Sequence, residues 1–402
     1  MKRAVLITLF LTFFVSLFAQ TTIKEFKSGK LNSTRQLKIK LPKDYDDTST
    51  IKYPLIIVFD GDYLFGPVVG QTQFQTYFDE MPGCIVVGIS QGKERPYDSL
   101  VDEVTGLPFE SGARFFEFIG QELIPYLDAK YNTSKFRVAV GHNIMGNFIN
   151  SFMMKDLPLF HAYVNLSPDL VGSMGENISN RLEWAKSDVF YYMATSSKDK
   201  KRLREEILET NERIKALDNP KLTYYFDDFE GESHYTLVTG AVSKAFDKIF
   251  EMYKPLHEKE LTEKVLPFDG TLDEYLVSRY DRIEELFGIV KPISEEEFQK
   301  VVAVADERED IESLQKLGKL ANKQNPDLLL GNYYLALHAE KTEKPKKAVK
   351  FYEAALALNE TEAIKKDLIQ TNMDALLTQI SKSKEKDKDK EIEESEVVAE
   401  SD

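Results

Sequence analysis

Two rhythms of apolar positions alternate through the first 256 residues. Arg35-Gln36-Leu37-Lys38-Ile39-Lys40-Leu41 switches between polar and apolar side chains, the pattern of a strand with one face in a core. A continuous apolar run follows at 53–59 and a buried strand is expected at 84–89, with further, largely apolar strands at 136–140, 161–166 and 188–194. One more strand is expected at 222–226. Helices are expected at 65–80, 113–131, 198–217 and 241–253; in 113–131, Phe115, Phe116, Ile119, Leu123, Ile124 and Leu127 fall on one broad face. Residues 91–112 and 168–187 read as loops. Strands alternating with helices predict an α/β body with a mostly parallel sheet, and the antiparallel start at 23–41 adds to its edge.

The pattern changes after residue 256. Residues 257–294 read as a polar connector with one helix at 272–286, and 295–380 read as a small all-α domain. Residues 381–402 carry five Lys and nine acidic residues with few apolar side chains, so a disordered charged tail is expected. At the other end, Lys2 and Arg3 precede an apolar run and Ala19. This reads as a signal peptide over 1–19, implying export to the periplasm or cell envelope with no stable membrane span after cleavage. The body domain is then 20–256.

Composition narrows the function classes. The chain has 402 residues, 42% hydrophobic and 30% charged, enough for two or three domains. Its net charge of −15 argues against sequence-independent nucleic-acid binding, which needs a basic surface. The single Cys84 excludes an intrachain disulfide and reads as a core residue. Five scattered His without ligand spacing, and no Gly-rich phosphate loop, give no reason to expect a metal or cofactor.

The candidate chemistry centres on Gly141-His142-Asn143-Ile144-Met145-Gly146. It joins the apolar run at 136–140 to an apolar-periodic segment, a strand, sharp bend and helix in the form of the nucleophile elbow G-x-S-x-G. Asn143 stands at the Ser position and Met145 at the second Gly position. Asn tolerates the positive φ such a bend needs. Met145 demands room, so a relaxed elbow is expected.

An ordered set of segments surrounds this bend. It comprises Ser28-Gly29-Lys30-Leu31 and Leu41-Pro42-Lys43-Asp44-Tyr45, Phe59-Asp60-Gly61-Asp62, Val87-Gly88-Ile89-Ser90 with Arg95 and Asp98, Asn165-Leu166-Ser167-Pro168, and Glu232-Ser233-His234. Over residues 22–256 the set resembles the putative esterase family of α/β-hydrolases, the group that includes enterochelin esterases. The resemblance implies an α/β-hydrolase fold, acyl transfer and a nucleophile–acid–base order along the chain. It places the degenerate nucleophile position at Asn143, the base at His234 and the acid at Asp199 or Glu205. The oxyanion donors would be the N–H groups of Ile144 and of the turn at Gly61. His142 is expected to pack beneath the bend, and Ser167 reads as a turn residue rather than a displaced nucleophile.

Residues 332–359 resemble one tetratricopeptide repeat, with Tyr333, Leu335 and Ala336 on a first helix and Ala348, Phe351, Tyr352, Ala355, Leu356 and Leu358 on a second. A protein or peptide partner is expected through 295–380 and a small ester or acyl ligand in the body. The resulting expectation is an exported pseudo-esterase that works by binding. The alternatives are an active carboxylic ester hydrolase with a non-standard site, and an envelope scaffold.

Overall fold

The computed structural model describes residues 21–399, with side chains of the last helix described to residue 385. The expected signal peptide lies outside the described residues. Eight strands form one sheet: β1 (Thr22–Ser28), β2 (Ser33–Lys40), β3 (Tyr53–Val58), β4 (Ile85–Ile89), β5 (Thr133–His142), β6 (Ala162–Leu166), β7 (Val189–Ser196) and β8 (Leu222–Phe229). Their order is β1-β2-β4-β3-β5-β6-β7-β8. Every pairing from β4 through β8 is parallel, and the β1–β2 hairpin attaches antiparallel to β4. The largely apolar segments become central strands: β4, β6 and β7 are buried at every position. The alternating run becomes β2, whose Leu37 and Ile39 enter the core.

The main helices of the body are α1 (Phe65–Tyr77), α2 (Glu110–Phe118), α3 (Ile144–Ile149), α4 (Met174–Glu183), α5 (Lys201–Lys215) and α6 (Leu237–Ile249), with one short turn of helix at Arg95–Asp98. A π-helical turn, Ile119–Leu123, continues α2 into a further helical segment, Ile124–Lys130. Phe118, at i+3 from Phe115, is fully buried, whereas the expected Phe116 is half-buried. α4 occupies part of what reads as a loop, because Met174, Ile178 and Leu182 recur at i, i+4, i+8 and bury one stripe of an otherwise polar segment. Phe59, Phe115, Phe148 and Phe152 form an aromatic cluster under the bend, with ring centroids about 5.6–6.1 Å apart.

Contacts divide the chain into two compact units. The first is the sheet body through Lys254 together with Ile283–Val290; the second is Pro255–Arg282 together with everything from Lys291. The expected connector over 257–294 is therefore not a separate piece. Phe287 is part of the body core, 5.0 Å from Phe136 between ring centroids.

The second unit is all-helical. It contains most of α7 (Leu272–Phe287), then α8 (Glu295–Glu307), α9 (Ile311–Gln324), α10 (Leu330–Lys341), α11 (Pro345–Leu356) and α12 (Lys366–Ala399). α8 begins at a full capping box, Ser294 with Glu297. α12 runs through 381–399, where disorder is expected from composition. The segment from 366 to 399 has no Gly or Pro and is rich in Lys and Glu, which are good helix formers, so the helix does not stop where the apolar positions thin out. Among the described residues no helix is long and apolar enough to cross a membrane.

Candidate active site

The site lies at the carboxyl ends of the parallel strands, where open α/β sheets gather their functional loops. β5 ends at His142, Asn143 turns at φ 55° and ψ −125°, and α3 starts at Ile144. The bend is fixed from several sides. The Asn143 N–H donates to the Leu166 carbonyl at 3.1 Å, and the Asn143 carbonyl accepts from Gly146 N–H at 2.9 Å and Asp169 N–H at 3.0 Å. A Cβ on Gly141 would lie 2.4 Å from the Met145 carbonyl oxygen, so only glycine fits there. The expected relaxation by Met145 does not occur. Met145 is fully buried in the core, and Gly146, one residue on, makes the close approach, to Pro168. A non-glycine residue in such a conformation costs on the order of 1–3 kcal/mol, and Asn is among those that bear it best.

Asp199 follows β7, and its side chain is wholly buried. Its Oδ1 accepts from His234 Nδ1 at 2.7 Å; its Oδ2 accepts from the Ser167 hydroxyl, from Thr195 Oγ1 at 2.8 Å and from Ser196 N–H at 2.9 Å. Burial pushes this carboxyl up, but the hydrogen bonds from His234, Ser167, Thr195 and Ser196 outweigh it and hold the group down at about 2. The acid is thus ionised and anchored. With Nδ1–H given to Asp199, Nε2 is the ring nitrogen left to take a proton, the orientation a general base requires. Glu205, the other acid candidate, is exposed on α5 and pairs with Lys201. Ser167 is fully buried, sits at φ 45° and donates to the acid, so it is a positioning residue for Asp199.

A second chain of contacts pins the His234 loop to the bend. His142 Nε2 lies 3.1 Å from the His234 carbonyl, and the two rings are 4.5 Å apart. Because a carbonyl only accepts, Nε2 carries the proton. Burial, then the nearby His234, lowers the His142 pKa to about 4. Its Nδ1 meets the Tyr63 hydroxyl at 3.0 Å, and that hydroxyl also reaches Asp60 Oδ2 at 2.9 Å. Asp60, almost fully buried, is held by Arg95 through two hydrogen bonds, at 2.6 and 3.0 Å. Gln91 Oε1 accepts from Asp60 N–H, and Gln91 Nε2 reaches Asp98, which pairs with Arg35 at 2.7 Å.

The oxyanion donors divide. Ile144 N–H opens α3 and has no acceptor among the described residues. Gly61 does not serve as expected: its N–H donates to the Ile89 carbonyl at 2.9 Å, extending the sheet, and a Cβ there would lie 2.6 Å from Ile89 N. Asp62 follows it, its carboxylate accepting from Gln91 and Gly92 N–H groups at 2.8 Å each.

These parts can orient a base, hold an acid ionised and present a helix N-terminus to a developing oxyanion. They lack a hydroxyl or thiol at the bend. Two cavities, about 490 Å³ beside Phe160, Arg181 and Trp184 and about 560 Å³ beside Phe116, Phe152 and Leu159, contain none of Asn143, Asp199 or His234. The chemistry, rather than the volume, locates the site.

Comparison with known proteins supports the esterase-like α/β fold. Residues 28–204 match the family model described as "Putative esterase". The chain is 23% identical over 244 residues to the ferri-bacillibactin esterase BesA of Bacillus subtilis, covering 53% of this chain and 84% of that one. A crystal structure of an uncharacterised protein from Capnocytophaga ochracea is 30% identical and superposes with a TM-score of 0.81 over 89% of this chain and 100% of that one. An IroE-like serine hydrolase from Shewanella oneidensis, at 20% identity and a TM-score of 0.55, covers 76% of this chain and 99% of that one and shares the fold.

Proposed function

Since this chain belongs to the esterase-like α/β-hydrolases, we propose that it is a pseudo-esterase that binds a small ester or acyl ligand without turning it over by an acyl-enzyme route. One observation carries the reading: Asn143 occupies the bend while Asp199 and His234 stay hydrogen-bonded at 2.7 Å behind it. The Asn143 side-chain amide nitrogen, delocalised into its carbonyl, does not form a productive acyl-enzyme, and removing a triad nucleophile costs on the order of 10⁶ in turnover. The strained backbone and the buried acid persist at an energetic cost, which favours a site kept for binding over a fold kept only as a scaffold. In this reading the chain is exported, and the helical unit supplies the surface for a protein or peptide partner.

A second reading has a specific observation in its favour. An oriented His234 is able to deprotonate a water directly and hydrolyse a carboxylic ester in one step. Turnover of a short p-nitrophenyl ester by the wild type, Asn143→Ser and His234→Ala separates the two. Pseudo-esterase behaviour predicts a wild-type rate equal to buffer and a rate gained in Asn143→Ser. Wild-type turnover that disappears in His234→Ala would establish water activation instead.

A further inference from the structure

We propose that Asn143 is a self-modification site, whose side-chain amide is converted to a carboxylate through a cyclic imide closed by the Ile144 nitrogen. The backbone angle carries this. Substituents on a tetrahedral Cα are spaced about 120° apart viewed down the Cα–C bond, so ψ of −125° brings the Ile144 nitrogen nearly into eclipse with the Asn143 Cβ. Four atoms of a five-membered ring (Cβ, Cα, C and the next N) then lie close to one plane, and rotation about χ1 supplies the fifth, Cγ. In a helix or a strand the same nitrogen is roughly 80–105° out of that plane.

Two further features leave the reaction open. The Ile144 N–H has no acceptor among the described residues, so its proton is not held in a hydrogen bond. The Asn143 side chain makes no capping bond that would fix it away from the ring. One feature opposes closure: the β-branch of Ile144 crowds the attacking nitrogen, as it does in a flexible chain. The folded geometry has to supply the advantage, as pre-organisation of reacting atoms does.

The steps balance. The Ile144 amide gives its proton to base and its nitrogen bonds to Asn143 Cγ. The Cγ–Nδ2 bond breaks, and Nδ2 takes up a proton and leaves as ammonia. Water opens the imide at Cγ to give an aspartate, or at the backbone carbonyl carbon to give the isoaspartyl linkage. One water is consumed, one ammonia is released, and nothing is oxidised. Opening at Cγ leaves an anion on the bend, in the loop cluster that holds His142 and His234. No ester takes part, so the proposal stands apart from the binding reading.

The test is incubation of the purified full-length chain in ¹⁸O-water at mildly alkaline pH, folded and in urea, followed by tryptic mass spectrometry. The peptide 138–155 also contains Asn147 and Asn150, both on helical backbone, Asn150 with ψ −22°. The expected result is ¹⁸O incorporation at position 143 at least about tenfold faster than at 147 or 150, and about tenfold faster folded than in urea. An amide at 143 that persists in the folded chain, or that converts no faster than its two neighbours or than in urea, would overturn the proposal.

Discussion

Replacing Asp199 by Asn tests the anchored acid through its effect on pH-dependent stability. In the fold this carboxyl sits at about 2, against 3.8 for an unperturbed aspartate. A difference of this size corresponds to about 2 kcal/mol of stability. A group whose folded pKa is depressed stabilises the fold above its unfolded pKa. The contribution shrinks as pH falls through 3.8 and is gone once pH passes about 2. Asp199→Asn keeps the shape but removes the charge that His234, Ser167, Thr195 and the Ser196 N–H are arranged to meet. Urea unfolding followed by far-UV circular dichroism, at pH steps between about 5 and 2, measures both proteins. Other carboxylates titrate in the same window, so the informative quantity is the difference between the two curves. The wild type should be more stable than the variant at the upper end, and the gap should narrow by about 2 kcal/mol on acidification. A gap that stays constant with pH would mean that Asp199 is not held ionised by these four donors.

Other substitutions have defined outcomes. Arg95→Ala leaves the buried Asp60 carboxylate without its two-bonded partner, and should cost about 3–5 kcal/mol in a denaturant melt. Gly61→Ala drives a methyl against the Ile89 backbone at 2.6 Å, and should lower thermal stability by about 1–3 kcal/mol, whereas Gly66→Ala, with open space around it, should not. His142 is kept neutral by burial, with its pKa near 4. The stability this gives is full above its unfolded pKa of 6.5 and falls as pH drops towards 4, by up to about 3 kcal/mol, so His142→Gln should flatten the stability curve between those pH values.

The sequence shows the body well because its central strands are short, mostly apolar segments and its bend is a strand–turn–helix with Asn143 at the turn. His234 is legible as a residue after the last strand. Choosing Asp199 over Glu205 is beyond sequence reasoning, since both lie in a Lys-rich stretch and only burial separates them. The cradle around Asp199 is also hidden: Ser167 directly follows β6 and Thr195 belongs to β7, and they meet only when those strands pair. Gly61 illustrates the reverse error. A glycine in the right turn suggests a donor to the oxyanion, but its N–H is spent on Ile89. The charged end of the chain misleads for another reason: composition predicts whether a segment can build a core, while helix continuation depends on local propensity.

The bend at Asn143 keeps an anchored acid, an oriented His234 and the Ile144 N–H, and lacks a nucleophile. Covalent labelling by a fluorophosphonate, read as intact mass and mapped to a residue, tests this most directly, because phosphonylation needs a hydroxyl activated by the His234–Asp199 pair. No adduct is expected on the wild type, one adduct on Asn143→Ser at position 143, and none on Asn143→Ser combined with His234→Ala. Labelling of the wild type at any serine in a His234-dependent manner would contradict it, as would an Asn143→Ser protein that folds and stays unlabelled.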